Sequence, residues 1–453
     1  MAISKNLATR FSSDFLFGVA TAAYQIEGAA NEDGRKPSIW DAFSKMPGRV
    51  YKGHSGDVAC DHYHRWESDL DLIQSLGVDA YRFSIAWPRI LPDGRGQVNE
   101  KGLDFYDRLI DGMVERGLKV YPTLYHWDLP LTLAGYGGWT ARNTAEAFAE
   151  YAEIVVKRLG DRIDALATIN EPWCICHLSH LYGIHAPGEK SPEAFAAAVH
   201  TLNLAHGLGV EAARSVRPDL PMGIVINAHS VYAASGSADD QRAAERAFEF
   251  HNGLFFSPLF EGSYPAEVLE AYGEMMPIEE GDLKTINQPL DWWGLNYYTP
   301  LRVKNDGTDS ALYPQAEVVP PKPGPELTDI GWEIYETGLT DLMTGLYERY
   351  NLPPMFITEN GACYNDELKD GVVRDQRRID YLEKHFSAVA EARDAGVPVK
   401  GYFLWSLMDN YEWAEGYKMR FGIVHVDYDT QARTLKDSAL WYRGLISEHV
   451  STR

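Results

Sequence analysis

The sequence predicts an α/β fold: a (β/α)8 TIM barrel running as a single domain over residues 1–453, with long loops on the C-terminal face of its strands. Two observations predict it. Amphipathic helical stretches alternate with short apolar runs, and parallel strands need such a crossover between them. The apolar runs number eight, at 15–19, 80–85, 119–125, 165–169, 222–226, 292–295, 355–358 and 401–404. Eight suits a closed barrel. An open doubly wound sheet is the structural competitor, but it binds its ligand at a switch point and not around a ring.

The elements follow in chain order. Trp66, Leu70 and Ile73 lie at helical spacing, Gly77 stops that helix, and 78–85 reads as a strand. Leu103, Tyr106, Ile110 and Met113 form a second stripe, which Gly117 ends before the strand 118–125. Asn143 with Glu146 reads as an N-cap pair for a third helix, whose buried face is Phe148, Tyr151, Val155 and Leu159. Gly160 closes it, and 163–169 is a strand. Near the C-terminus Ala395-Gly396 leads into 399–405. Glycine tolerates the left-handed backbone that ends a helix, while the period switches from 3.6 to a short apolar run. The stretches 88–101, 174–191 and 299–328 are rich in Gly, Pro and polar residues and read as loops.

With 45% hydrophobic and 24% charged residues, the 453-residue chain has ordinary globular composition and length for a large core. The formal net charge of -23 repels phosphate backbones, so no nucleic-acid partner is expected. No run approaches a membrane span, and 1–17 lacks a continuous apolar stretch that could serve as a signal peptide. A cytoplasmic, reduced protein is expected, and its oligomeric state is left open. Cys60, Cys174, Cys176 and Cys363 are too few for a disulfide framework and read as buried free thiols. Neither Cys174-x-Cys176 nor His62-x-His64 has the further ligands a metal needs, and no metal or cofactor is expected.

Two acidic segments carry the chemistry, Thr168-Ile169-Asn170-Glu171-Pro172 and Ile357-Thr358-Glu359-Asn360-Gly361. Each follows a strand-like run and presents a glutamate at a strand's C-terminal end, where barrels build active sites. Two carboxyls so placed are what glycosidic bond cleavage needs. The other strand ends add Gln25, Arg82, His126-Trp127, Asn227, Asn296, Tyr298, Trp405 and Glu412-Trp413. Amides, carboxylates and histidine bond hydroxyls in two directions, and flat indoles cover the apolar face of a sugar ring. Singly, Arg82 could be a structural ion-pair partner, His126 a core histidine, and Trp127 or Trp405 plain core aromatics. As a ring, they predict a pocket for a small glycoside.

The motifs Phe17-Gly18-Val19-Ala20-Thr21-Ala22-Ala23-Tyr24-Gln25-Ile26-Glu27-Gly28, Tyr81-Arg82-Phe83-Ser84-Ile85, Thr123-Leu124-Tyr125-His126-Trp127, Asn170-Glu171-Pro172-Trp173, Asn296-Tyr297-Tyr298, Thr358-Glu359-Asn360-Gly361 and Trp405 through Trp413 occur in one order nearly end to end. In this the chain resembles glycoside hydrolase family 1, the β-glucosidase family. The resemblance implies a retaining double displacement with Glu171 as acid/base and Glu359 as nucleophile, the two carboxyls roughly 5 Å apart. Arg82 and Tyr298 are expected beside Glu359, with Asn296 in the same catalytic group. It also implies that Asn170 bonds the sugar 2-hydroxyl. Gln25, His126, Glu412 and Trp413, with Trp127, take the remaining contacts. Trp405 forms the platform under the ring, and Trp173 and Trp332 stand at the mouth. Ser257, Ser263 and Leu131 depart from the family pattern, which touches loop contacts and not the chemistry.

The implied activity is hydrolysis of terminal non-reducing β-D-glucosyl residues from cello-oligosaccharides and aryl or alkyl β-glucosides, with room for β-galactosidase and β-fucosidase side activity. A 6-phospho-β-glycosidase is the alternative within enzymes, and Glu412 argues against it because a carboxylate repels phosphate. A catalytically silent sugar-binding barrel is the alternative outside them, and it would require one carboxyl of the pair to be missing.

Overall fold

The computed structural model describes residues 7–307, 313–321, 324 and 326–451. Within them, parallel strands close into a barrel: β1 (Leu16–Ala20), β2 (Ala80–Ser84), β3 (Lys119–Tyr125), β4 (Leu166–Asn170), β5 (Met222–Asn227), β6 (Trp293–Asn296), β7 (Met355–Asn360) and β8 (Val399–Trp405). Each pairs with its neighbours in chain order, and β8 returns to β1. The predicted (β/α)8 barrel is therefore observed, with every strand within about two residues of its sequence-derived bounds. The register puts Arg82 and Trp405 opposite Ala20, so neighbouring strands deliver both side chains at one level.

Helices supply the crossovers: α1 (His62–Ser75), α2 (Glu100–Glu115), α3 (Arg142–Leu159), α4 (Pro192–Val216), α5 (Ala238–Phe248), α6 (Glu336–Arg349), α7 (Gln376–Asp394) and α8 (Asp437–Ser451). The apolar stripe of α2 (Leu103, Tyr106, Ile110 and Met113) is buried, as its spacing requires. Ser191 caps α4 by accepting the Ala194 N–H at 3.1 Å, and Pro192 stands where a missing N–H costs nothing.

Several local expectations differ from what is found. Asn143 does not cap α3; Ala141 is its N-cap and offers no side-chain bond. That end is held instead by Arg142, which pairs with Asp282 at 2.5 Å, and by Thr144, which donates to the Gly138 carbonyl. Residues 174–191 are not all loop. Cys174–Leu181 forms a π-helix, a geometry that favours functional sites. Residues 88–101 contain the end of a helical turn, Trp87–Ile90, with Pro88 in its first turn. Within 299–328, parts of which lie outside the described residues, Leu301–Asn305 and Ala316–Val318 join Val231–Ala233 in a small sheet. Arg82 lies inside β2, not at its end.

Side chains alternate between the barrel's lumen and its helical jacket. Ala20, Ala80 and Ala167 leave the lumen open for the rings of Tyr121, Trp292, Phe356 and Phe403. Their centroids lie 5.1 to 6.3 Å apart in tilted and edge contacts. Gly18 is required there, since a Cβ would meet the Phe403 ring at 2.4 Å. The alternate β8 residues Tyr402 and Leu404 point outward into the larger core.

Beyond β8, a buried ion network ties the loop 406–422 to Lys436, which follows the hairpin of Val424–Val426 with Arg433–Leu435. Lys436 pairs with Asp409 at 2.9 Å and Asp366 at 2.7 Å, Arg420 pairs with Asp409 at 2.6 Å, and Arg378 joins Asp366 to Asp375. Burial alone would raise the pKa of Asp409, but Lys436 and Arg420 outweigh it and hold the carboxyl below its ordinary value. Its contribution to stability is full above the ordinary aspartate range and fades as pH falls through the lowered value. Replacing Lys436, which is fully buried, by Met leaves Asp409 short of a partner. The expected loss is about 3–5 kcal/mol in denaturant unfolding. A loss under about 1 kcal/mol would mean the network is not stabilised by the ammonium.

Candidate active site

Glu171 and Glu359 meet in one polar cluster at the C-terminal end of the barrel. Glu171 follows β4, and its N–H donates to the Val225 carbonyl of β5 at 2.9 Å. Glu359 lies near the end of β7. The Asn296 amide, ending β6, donates to Glu171 Oε1 at 2.6 Å and to Asn170 Oδ1 at 3.1 Å. Arg82 Nη1 donates to Glu359 Oε1 at 2.7 Å, and its Nη2 donates to Asn170 Oδ1 at 2.7 Å. The Tyr298 hydroxyl donates to Glu359 Oε2 at 2.7 Å. Thr358 holds Asn296 in turn, donating to its Oδ1 at 2.7 Å.

The partners make the two carboxyls unlike. Burial, then the charge of Glu359, pushes Glu171 up to about 8. Burial also raises Glu359, but Arg82 opposes it most strongly, followed by Tyr298. Of the coupled pair, Glu359 therefore gives up its proton first. Burial and the Glu359 charge raise Tyr298 well above its ordinary range, so it remains a donor. Burial, then Arg82, lowers His126 far below its ordinary value and keeps it neutral. Burial, then the charges of Glu359 and Glu171, pushes Glu412 up to about 8.

The remaining predicted residues surround this pair. Gln25 is fully buried in the turn Ala23–Ile26 and spends its Nε2 on Asn410 Oδ1, the Tyr411 carbonyl and Glu412 Oε2, at 3.0, 2.9 and 3.4 Å. Asn170 Nδ2 donates to His126 Nε2 at 3.2 Å. The His126 ring lies parallel to both Trp405 and Trp413, with centroids 5.9 Å away. Trp127 packs on Trp413 at 4.6 Å, but its indole N–H is committed to the Asn170 carbonyl at 2.9 Å. Its evident task is to hold Asn170, a role the sequence reading did not give it. Trp332 stands against Tyr298, with centroids 5.3 Å apart. Trp173 leaves the cluster in the other direction, donating to His251 Nδ1 at 2.8 Å and stacking on His177.

Glu171, Trp127 and Trp413 have φ values of 53°, 78° and 49°. Side chains other than glycine rarely adopt this left-handed region, and such strain gathers where a site demands it. Gly361 lets β7 and β8 end side by side, since a Cβ there would lie 1.7 Å from the Trp405 carbonyl oxygen.

One neighbour was not anticipated. Cys174 Sγ donates to Glu171 Oε2 at 3.0 Å. The sequence signal was present: residues three apart in a helical turn share a face. It was masked because 174–191 was read as loop.

Comparisons with known proteins give the chain its family. The family model for glycosyl hydrolase family 1 matches residues 7–451. A β-glucosidase of an Agrobacterium species is 61% identical, over 99% of this chain and 97% of its own length. A bifunctional β-D-glucosidase/β-D-fucosidase of Bifidobacterium breve is 46% identical, over 97% of this chain and 98% of its own. Among solved structures, the virulence factor SghA in complex with its substrate analogue salicin superposes with a TM-score of 0.97 at 63% identity, covering 99% of this chain and 98% of that one.

Proposed function

Since this chain belongs to glycosyl hydrolase family 1 and is a β-glucosidase, we propose that Glu359 is the nucleophile and Glu171 the acid/base of a retaining double displacement. The observation that carries these roles is the unequal partnering of the carboxyls. Arg82 and Tyr298 both serve Glu359, while Glu171 receives neither.

Charged Glu359 attacks the anomeric carbon, and the proton on Glu171 passes to the glycosidic oxygen. The aglycone departs and a glucosyl ester remains on Glu359. Glu171, now charged, takes a proton from water, which releases glucose with the original configuration. The charge of Glu359 is felt at Glu171, which supports the close spacing a retaining pair needs. Asn170, oriented by Arg82, Asn296, His126 and Trp127, is placed to bond the 2-hydroxyl, a contact that strengthens towards the oxocarbenium ion. Gln25 Oε1 and His126 Nδ1 are buried without a protein partner, and sugar hydroxyls supply what they lack. Trp405 underlies the ring, and Glu412 and Trp413 close the side away from the leaving group. Trp173 and Trp332 frame the aglycone.

The substrates are terminal β-D-glucosyl units of cello-oligosaccharides and of aryl or alkyl glucosides, and the salicin held by SghA supports the aryl class. A phosphate would bring a further negative charge into a buried site that already holds the charge of Glu359, which disfavours phosphorylated sugars. The four free, buried cysteines support a reducing cytoplasm as the enzyme's location. Among the described residues no helix is long and apolar enough to cross a membrane.

Trapping tests the assignment. An activated 2-deoxy-2-fluoro-β-glucoside slows departure from the ester by weakening the transition state at both steps. Mass spectrometry of digested protein is expected to find one fluoroglucosyl group, on Glu359. Its appearance on Glu171 or Glu412 would overturn the roles.

A further inference from the structure

We propose that Cys174 is a positioning residue for the acid/base: its thiol donates to Glu171 Oε2 and supports the charged form of that carboxyl after the proton has passed to the leaving group. The inference rests on the role assigned to Glu171 above and adds a residue to it.

The geometry confines the choices. Glu171 Oε1 already accepts from the Asn296 amide at 2.6 Å, and an amide N–H can only donate. The catalytic proton therefore rides on Oε2, the oxygen 3.0 Å from Cys174 Sγ. Sγ is itself held from behind, since Asn227 Nδ2 donates to it at 3.7 Å. Both cysteine and glutamate are buried, and Cys174 follows Glu171 by three residues into the π-helix that fixes its direction. Burial, then the charge of Glu171, keeps the thiol well above its ordinary pKa, so it is a neutral donor and never a competing anion.

A thiol is a weak donor. It lowers the proton affinity of Glu171 a little, without fixing the carboxyl as an anion before substrate arrives. The other titratable and charged groups facing Glu171 are Arg82 on β2, Tyr298 after β6, Glu359 on β7 and Glu412 after β8, with His126 across Asn170. Of the neutral donors to Glu171, Asn296 serves Oε1 and Cys174 serves Oε2.

The test is the alkaline limb of kcat/KM for 4-nitrophenyl β-glucoside in Cys174→Ala and Cys174→Ser. In the alanine variant the limb is expected to move to higher pH. Well above it, about threefold more of the variant's own maximum should survive than in wild type, the effect of roughly half a pH unit. The serine variant, whose hydroxyl is a stronger donor, should return the limb to the wild-type position or below. A uniform fall at every pH with the limb unmoved would mean that the thiol only fills space, and the inference fails. Glu171→Gln, assayed with the same 4-nitrophenyl β-glucoside, separates the two failures. Loss of the limb there with no movement in Cys174→Ala sinks only the thiol. Persistence of the limb in Glu171→Gln sinks the acid role and the inference with it.

Discussion

Replacing Glu359 by glycine is expected to reduce kcat on every glucoside by at least about 10⁴-fold, leaving no burst of released phenol. The side chain lost is the atom donor of the glycosyl ester, and nothing nearby can replace it. Glu412 is kept protonated first of all by burial, which the substitution leaves in place, and Glu171 is tied to Asn296 and Cys174. The site around the gap should remain built, because Arg82 keeps its bonds to Asn170 Oδ1 and the Thr358 carbonyl. Glucose analogues should therefore still bind. Retention of a tenth of wild-type turnover would remove Glu359 from the chemistry.

Glu171→Ala is expected to split substrates by leaving group. Cellobiose, whose departing alkoxide needs a proton, should lose about 10²–10⁴-fold in kcat/KM. A 2,4-dinitrophenyl glucoside should form the ester almost normally and then stall, because water has lost its base. Added azide, which needs no base, should restore turnover and give β-glucosyl azide. The pH profile should change with it. Wild-type kcat/KM is expected to fall as pH rises through about 8, where Glu171 loses its proton. The alanine variant has no such group, so its alkaline limb should vanish. Equal losses on both substrates, with the limb intact, would count against the acid role.

Much of this architecture could be read from local sequence. The strands announce themselves as short apolar runs between glycine-terminated helices, and the carboxyls stand directly after two of them. Position relative to a strand end is a local property, so Glu171, Asn296 and Glu359 were legible without any contact being known. What stayed hidden depends on turns and on distant chain. The helical course of 174–181 was masked by the Gly and Pro that follow it, and with it the thiol beside Glu171. The duty of Trp127 as a clamp on Asn170 depends on a φ of 78°, which no propensity reveals. Lys436 reads as a surface lysine until the fold brings it against Asp409, 27 positions earlier in the chain. The false cap at Asn143 came from residue type alone, where Arg142 and Asp282 hold the helix from 140 positions apart.

The stack of Tyr121, Trp292, Phe356 and Phe403 has a consequence for how the reaction is ordered in space. Its four rings fill the lumen beneath the carboxyls and close the barrel on that side. A saccharide is then expected to present its terminal unit to Glu171 and Glu359 and to be trimmed from its tip. In the proposed double displacement the attacking water takes the place beside Glu171 that the departing alcohol has left. Departure and arrival thus share one face of the sugar, while Glu359 attacks and leaves from the opposite face.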